Sequence, residues 1–356
     1  MEHRDFLKEA LADGAIPDLE VDFSDLDFTD RKAVLTTAQT FEDLGVAAYN
    51  GAGKLIEDPD YLLQAGRIVS VEARHAAAIR DLLKPTKPEP ANTEDVKVAG
   101  AAGELDARIY WPDGATAGEA LPLIVYFHGG GWVIADLDVY DASPLALANR
   151  AKAVVVSVHY RQGPEDKFPA AHDDAIAAFK DIVARSGEWN ADAERLALAG
   201  ESAGGNLALN VAIAARDQQL RAPDAVIAVY PVAGSDLNTH SYIENQNAVP
   251  LAKADIEWFV GHYLNSMDEA KDPRIDIVGG AVLDNLPPVT IIAAEIDPLN
   301  TEGMTLRDKL DAAGNDVTYQ NWNGVTHEFF GMAAVVPEAK EAQDLAGTEL
   351  KEAFGG

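Results

Sequence analysis

Gly200-Glu201-Ser202-Ala203-Gly204 constrains this chain more than any other stretch. It has the form G-x-S-x-G. It follows the apolar run Leu196-Ala197-Leu198-Ala199 and precedes a run with helical character, Asn206 to Arg216. A strand, a sharp turn and a helix are the setting in which this pentapeptide has chemical meaning. Glycines on both sides of the serine let strand and helix approach with no Cβ between them. The hydroxyl then stands above a sheet at the start of a helix, where the helix end favours a developing negative charge. Alone, the pattern describes a Gly-rich turn with a surface serine equally well. Its weight depends on whether partner groups occur elsewhere.

The residues around it supply a regular rhythm. Apolar or alternating runs predict strands at Leu105 to Trp111, Leu123 to Phe127, Ala153 to Val158, Leu196 to Ala199, Ala225 to Tyr230, Val289 to Ala294 and Val317 to Trp322. Helical stretches lie between them, at Pro144 to Lys152, Ala170 to Arg185, Asn206 to Arg216, Thr301 to Ala313 and Glu338 to Phe354. Strands alternating with helices predict an α/β fold, a mostly parallel central sheet with helices on both faces. The interval of about 231–288 breaks the rhythm with loop, one helix near Ala254 to Leu264, and more loop. An insertion after a strand's carboxyl end lies over the place where such sheets bind ligands, so it reads as a lid.

Residues 1–84 read differently. Asp5 to Ala12, Arg31 to Gly51 and Tyr61 to Leu83 carry apolar residues at helical spacing and form an N-terminal helical segment. Residues 85–92 hold Pro85, Pro88 and Pro90, which end a helix and make a semi-rigid linker. The catalytic domain is then 93–356. The chain has no cysteine, which excludes disulfides, thiol catalysis and cysteine-held metal. A net charge of −31 disfavours nucleic acid, whose phosphates it repels. No apolar run is long enough to span a membrane and no signal peptide is visible, so the expected location is cytoplasmic. A homodimer stays open.

A serine hydroxyl needs a base within hydrogen-bond reach, and the base needs an orienting acid. In this architecture the order along the chain is Ser, Asp or Glu, then His. Asp297 follows the strand Val289 to Ala294, and His327 follows the strand Val317 to Trp322. Both are expected on the sheet edge that carries Ser202. Glu295 competes with Asp297 for the acid role. His128-Gly129-Gly130-Gly131-Trp132 follows the strand Leu123 to Phe127. Its glycines leave backbone N–H groups unobstructed, and with the N–H of Ala203 they make a hole for an oxyanion. His128 reads as a brace of its loop. His159, His172, His240 and His262 read as structural or solvated.

Residues 93–354 resemble the hormone-sensitive-lipase-like family of bacterial α/β-hydrolase esterases. The pieces that carry the resemblance are His128-Gly129-Gly130-Gly131-Trp132, Tyr160-Arg161-Gln162-Gly163-Pro164-Glu165 with Phe168-Pro169-Ala170-Ala171, and Gly200-Glu201-Ser202-Ala203-Gly204-Gly205-Asn206. Asp297-Pro298-Leu299 with Glu302-Gly303, and His327-Glu328-Phe329-Phe330-Gly331-Met332, complete it. The resemblance implies oxyanion donors at Gly130 and Gly131. Three positions depart from the family pattern: Glu201 stands where Asp is commoner, Glu328 where Gly is commoner, and Gln162-Gly163 replaces Leu-Ala. None removes a catalytic atom.

The family usually begins with one or two helices that join the lid. Here the leader is longer and resembles the later helices of a ferritin-like domain, through Phe41 to Tyr49 and Val71 to Ala77. That resemblance implies Glu42, Glu72 and His75 as correspondents of di-iron ligands, with His3 as part of another pair. The first helix of such a bundle, with its glutamate, is missing. A lid or packing element is therefore the expected role. The whole chain reads as a serine carboxylesterase of short acyl esters, acting through an acyl-enzyme with no metal or organic cofactor. Its partner is a small-molecule ester. The rivals are di-iron oxidase chemistry in the leader and a non-enzymatic small-molecule binder on a hydrolase scaffold.

Overall fold

The computed structural model describes residues 27, 28, 30–53, 93–115 and 118–355. The chain divides into two units, Met1–Ala91 and Asn92–Gly356. In the first, helix α1 spans Arg31–Gly53, two residues longer than its apolar spacing predicts. The helices expected at Asp5 to Ala12 and Tyr61 to Leu83, the linker, and His3, Glu72 and His75 lie outside the described residues. Glu42 lies on α1.

In the second unit the described strands form one sheet of 8, in the order β1-β2-β4-β3-β5-β6-β7-β8. They are β1 (Thr93–Ala99), β2 (Glu104–Tyr110), β3 (Leu121–Phe127), β4 (Val154–His159), β5 (Ala191–Glu201), β6 (Ala225–Val229), β7 (Val289–Ile296) and β8 (Val317–Thr326). From β4 to β8 all neighbours are parallel, whereas β1 and β2 pair antiparallel at one edge. β1 was not expected. Its sequence TEDVKVA is mostly polar and only Val98 is buried, as suits an edge strand with one wet face.

Every residue of β3 is buried, because helices cover both faces of the sheet. Successive residues therefore serve opposite cores. Leu123, Val125 and Phe127 join Leu198 and Val226 beneath α3 (Ala170–Arg185) and α4 (Ala203–Asp217). Ile124 and Tyr126 join Ala199, Ile227 and Ile292 beneath α2 (Ala142–Ala151) and α9 (Pro337–Ala353). Ala339, Ala342 and Ala346 recur on one face of α9, and their small side chains let it lie close to the sheet.

The interval 231–288 holds α5 (His240–Glu244), α6 (Lys253–Tyr263) and α7 (Ile277–Gly280). The sequence predicts only α6, since α5 and α7 are too short to show a period. α8 (Asn300–Ala312) follows β7. The base of the interval is tied to the start of α4. Val232 N–H donates to Ser202 O at 3.1 Å, and Asn206 Nδ2 donates to Val232 O at 3.0 Å and Arg274 O at 2.9 Å.

Candidate active site

Four parallel strands deliver the candidate groups to one edge of the sheet. β5 ends at Glu201, and α4 begins at Ala203, which leaves Ser202 alone to make the turn. Its φ of 54° and ψ of −118° are strained for an L-residue. The backbone holds it there through Ser202 N–H to Val229 O at 2.9 Å, while Ser202 O accepts from Asn206 N–H at 3.1 Å. Gly204 is needed because a Cβ there would lie 2.5 Å from His128 O and overlap Phe127 O. The start of α4 is thereby pressed against the end of β3.

β7 and β8 deliver the candidate acid and the candidate base. Asp297 follows β7 and is fully buried. Its Oδ1 accepts the Leu299 N–H at 2.9 Å, and its Oδ2 accepts from His327 Nδ1 at 2.7 Å. With the proton on Nδ1, His327 Nε2 is the acceptor that faces Ser202 Oγ at 3.0 Å. Burial alone pulls the His327 imidazole down. The charge of Asp297 and its hydrogen bond, with the charges of Glu328 and Glu201, outweigh burial and leave it above its ordinary value. Glu295, the rival acid, is exposed and accepts the Gly324 N–H at 2.7 Å.

The loop after β3 supplies amides. Gly131 sits at φ 59° and Gly130 at φ 100°. The N–H groups of Gly130 and Gly131 bond to no acceptor among the described residues. That of Ala203 stands at the first turn of α4, where a helix amide has no partner of its own. His128 braces this loop. Its Nδ1 donates to Gly129 O at 2.8 Å, its ring stacks on Tyr160 at 4.5 Å, and burial lowers it to about 4, so it is neutral. His172 is likewise buried, lowered to about 4, and held between Tyr263 and Asn206.

A cavity of ≈ 320 Å³ opens onto Ser202, His327, Gly130 and Gly131. Most of its remaining wall comes from the interval 231–288, through Tyr242, Leu251, Ile256, Phe259 and Val260 among others. Ile256, Phe259 and Val260 share one face of α6, a periodicity already present in the sequence.

Beneath the imidazole lies a polar group that the sequence hides. Tyr126 and Tyr230 donate to the two oxygens of Glu201 at 2.6 and 2.5 Å, and the Tyr230 ring lies 4.4 Å from that of His327. Burial, helped by the charge of Glu328, pushes the Glu201 carboxyl up to about 7, while bonds from Ser143, Tyr126 and Tyr230 oppose the rise. Glu328 itself stands at φ 70°, accepts the Tyr140 hydroxyl at 2.6 Å, and places Oε1 3.6 Å from His327 Nε2. Only the family departures at Glu201 and Glu328 hinted at this group. The tyrosines read as ordinary core.

A family model described as alpha/beta hydrolase fold matches residues 124–331, and one described as ferritin-like domain matches residues 1–85. The chain is similar to carboxylesterase NlhH of Mycobacterium tuberculosis, 36% identical over 78% of this chain and 88% of that protein. It is 33% identical to an ethyl acetate hydrolase of Pseudomonas putida over 78% of this chain and 90% of that one. Among solved structures, an esterase of Pyrobaculum calidifontis superposes with a TM-score of 0.70 at 36% identity, covering 74% of this chain and 86% of that one. These likenesses favour ester hydrolysis over the di-iron and binding-protein readings. Among the described residues no helix is long and apolar enough to cross a membrane, and no group of three or more His, Asp or Glu is arranged to hold a metal ion.

Proposed function

The chain belongs to the alpha/beta-hydrolase family, in its hormone-sensitive-lipase-like branch, and is a carboxylic ester hydrolase; from that premise we propose that Ser202, His327 and Asp297 carry its chemistry on short-chain esters. The reading rests above all on the unbroken run of hydrogen bonds from Asp297 through His327 to Ser202, at 2.7 and 3.0 Å, ending in a cavity.

In acylation Ser202 Oγ attacks the ester carbonyl carbon, and its proton passes to His327 Nε2. Asp297 orients the imidazole and stabilises its charged form. The N–H groups of Gly130, Gly131 and Ala203 hold the oxyanion of the tetrahedral intermediate. Collapse expels the alcohol oxygen, which takes the proton from Nε2. Water then attacks the acyl carbon, gives one proton to Nε2, and the acid leaves as Ser202 Oγ is reprotonated. No step calls for a metal or organic cofactor.

A short acyl group is favoured by the ≈ 320 Å³ cavity and by the ethyl acetate hydrolase among the relatives. Residues 93–356 act as the catalytic domain, and the interval 231–288 acts as its lid. The net charge of −31 supports a small ester rather than nucleic acid as the partner. A cytoplasmic setting belongs to the same proposal.

The test is Ser202→Ala together with a serine-directed phosphonate. Turnover of p-nitrophenyl acetate falls on the order of 10⁶-fold, the scale for loss of a triad nucleophile. The phosphonate labels wild type at Ser202 alone. A variant that keeps a few per cent of activity, or a label elsewhere, overturns the assignment.

A further inference from the structure

Glu328 has no part in the mechanism above, yet its carboxylate faces the reacting nitrogen. His327 Nε2 holds Ser202 Oγ at 3.0 Å and has Glu328 Oε1 at 3.6 Å. Both Glu328 and His327 line the cavity that opens onto Ser202. The carboxylate is not loose. Tyr140, itself buried, donates to Oε1 at 2.6 Å, and the left-handed backbone at Glu328, φ 70°, aims the side chain back past the imidazole. Its other oxygen, Oε2, accepts no hydrogen bond among the described residues.

Chemistry says what passes this point. Nε2 must give a proton to the leaving oxygen in the first half-reaction and take one from water in the second. Both oxygens therefore come to the space beside Nε2, on the cavity side. They differ in one respect. The ester oxygen carries an alkyl group and has no hydrogen to offer. Water has two, of which one goes to Nε2 and the other needs an acceptor. Two acceptors 3.6 Å apart can share one water at ordinary hydrogen-bond lengths.

We propose that Glu328 is a water-positioning residue for deacylation, its carboxylate accepting the second hydrogen of the water whose first is taken by His327 Nε2. The inference rests on the assignment of Ser202 and His327 made above. The balance is simple. Water oxygen bonds to the acyl carbon, one water proton moves to Nε2, and the other stays on oxygen, hydrogen-bonded to Glu328. The carbon–Oγ bond then breaks and the proton on Nε2 returns to Oγ. Glu328 begins and ends as the same carboxylate, so it needs no co-reactant.

An alcohol competing with water isolates this role. Methanol gives its one hydroxyl proton to Nε2 and has none left for Glu328. The acyl-enzyme's choice between water and methanol therefore reports the Glu328 contact, whatever the rate at which it formed. The experiment uses p-nitrophenyl acetate with added methanol and compares acetate with methyl acetate produced. In Glu328→Gln, Tyr140 holds the amide oxygen in the place of Oε1, so a neutral and weaker acceptor replaces the charged one beside Nε2.

The methyl acetate share should rise relative to wild type by roughly tenfold, the scale of one hydrogen bond to a charged acceptor. Glu328→Gly, which suits φ 70° without strain, should move the share in the same direction. An unchanged product ratio in both variants overturns the proposal. So does a folded variant equally slow toward both acceptors, since Glu328 would then act before the nucleophile is chosen. Loss of phosphonate labelling at Ser202 in wild type would sink the triad assignment instead, which keeps the two failures apart.

Discussion

Gly131→Ala probes the oxyanion loop with the smallest side chain available. Gly131 occupies φ 59°, where an L-residue costs about 1–2 kcal/mol. A Cβ there would also lie 2.5 Å from Phe259 Cδ1 and 2.9 Å from Phe259 Cβ. Those atoms sit at the root of the ring, so swinging the ring alone does not relieve the overlap. Either α6 retreats or the loop does. The loop is the weaker party, since the Gly131 N–H is bonded to nothing among the described residues. Moving it takes one donor off the oxyanion and lowers kcat by roughly 10²–10³. KM should change far less, because the donor acts mainly on the transition state. The Ala variant should also melt a few degrees lower, as about 1–2 kcal/mol implies for a domain of this size. Steady-state kinetics on p-nitrophenyl acetate and a melting curve check both effects. Phe259→Ala in the same chain removes the ring from the overlap, leaving the Cβ contact at 2.9 Å, and should return part of kcat, whereas the strain in φ remains. Wild-type kcat in Gly131→Ala would refute the reasoning, as would a loss confined to KM. The bulkier Gly131→Val should be worse on every count.

The pH profile follows from His327. Its neutral form is the base, so activity is full above its pKa and falls as pH drops through it. Because Asp297, with Glu328 and Glu201, outweighs burial and raises that pKa, the acid limb of kcat/KM should lie above the ordinary 6.5. A midpoint below that value would contradict the balance of charges described. The same shift makes a stability contribution that is full below 6.5 and lost as pH rises through the raised value. Treatment with EDTA should leave esterase activity unchanged, since acyl transfer through serine and histidine uses no metal; activity restored only by an added divalent ion would contradict this.

The candidate site was legible in the sequence because each of its residues follows a run of apolar residues and such runs become buried parallel strands. β3, with every residue buried, is legible for that reason, and so is the glycine triplet at its end. β1 was hidden by its mostly polar sequence, TEDVKVA. β5 begins at Ala191, five residues earlier than its apolar run, since its start pairs with Leu121 across a register shift. Asp297 could be preferred to Glu295 from order and motif alone, but the reason is geometric: one is buried on the imidazole and the other is exposed and turned to Gly324. Tyr126 and Tyr230 could not be read as partners of Glu201. They come from β3 and from the residue after β6, and an aromatic in or beside a buried strand looks the same whether or not its hydroxyl finds a carboxylate. The closeness of Glu328 to Nε2 depends on one left-handed residue, which a lone glutamate does not announce.

The ties between the interval 231–288 and the nucleophile turn bear on how the substrate range of this enzyme can be engineered. Val232 N–H bonds Ser202 O, and the side chain of Asn206, whose own N–H also bonds Ser202 O, grips Val232 and Arg274. Substitutions near them that widen the pocket will therefore also disturb the attack angle. Met267 and Pro250 line the same cavity, and Met267 is 63% exposed. They offer a rim that can be reshaped for a larger ester while the serine keeps its anchorage. Libraries aimed at new substrates should begin at that rim and leave the footing at Val232 and Arg274 untouched.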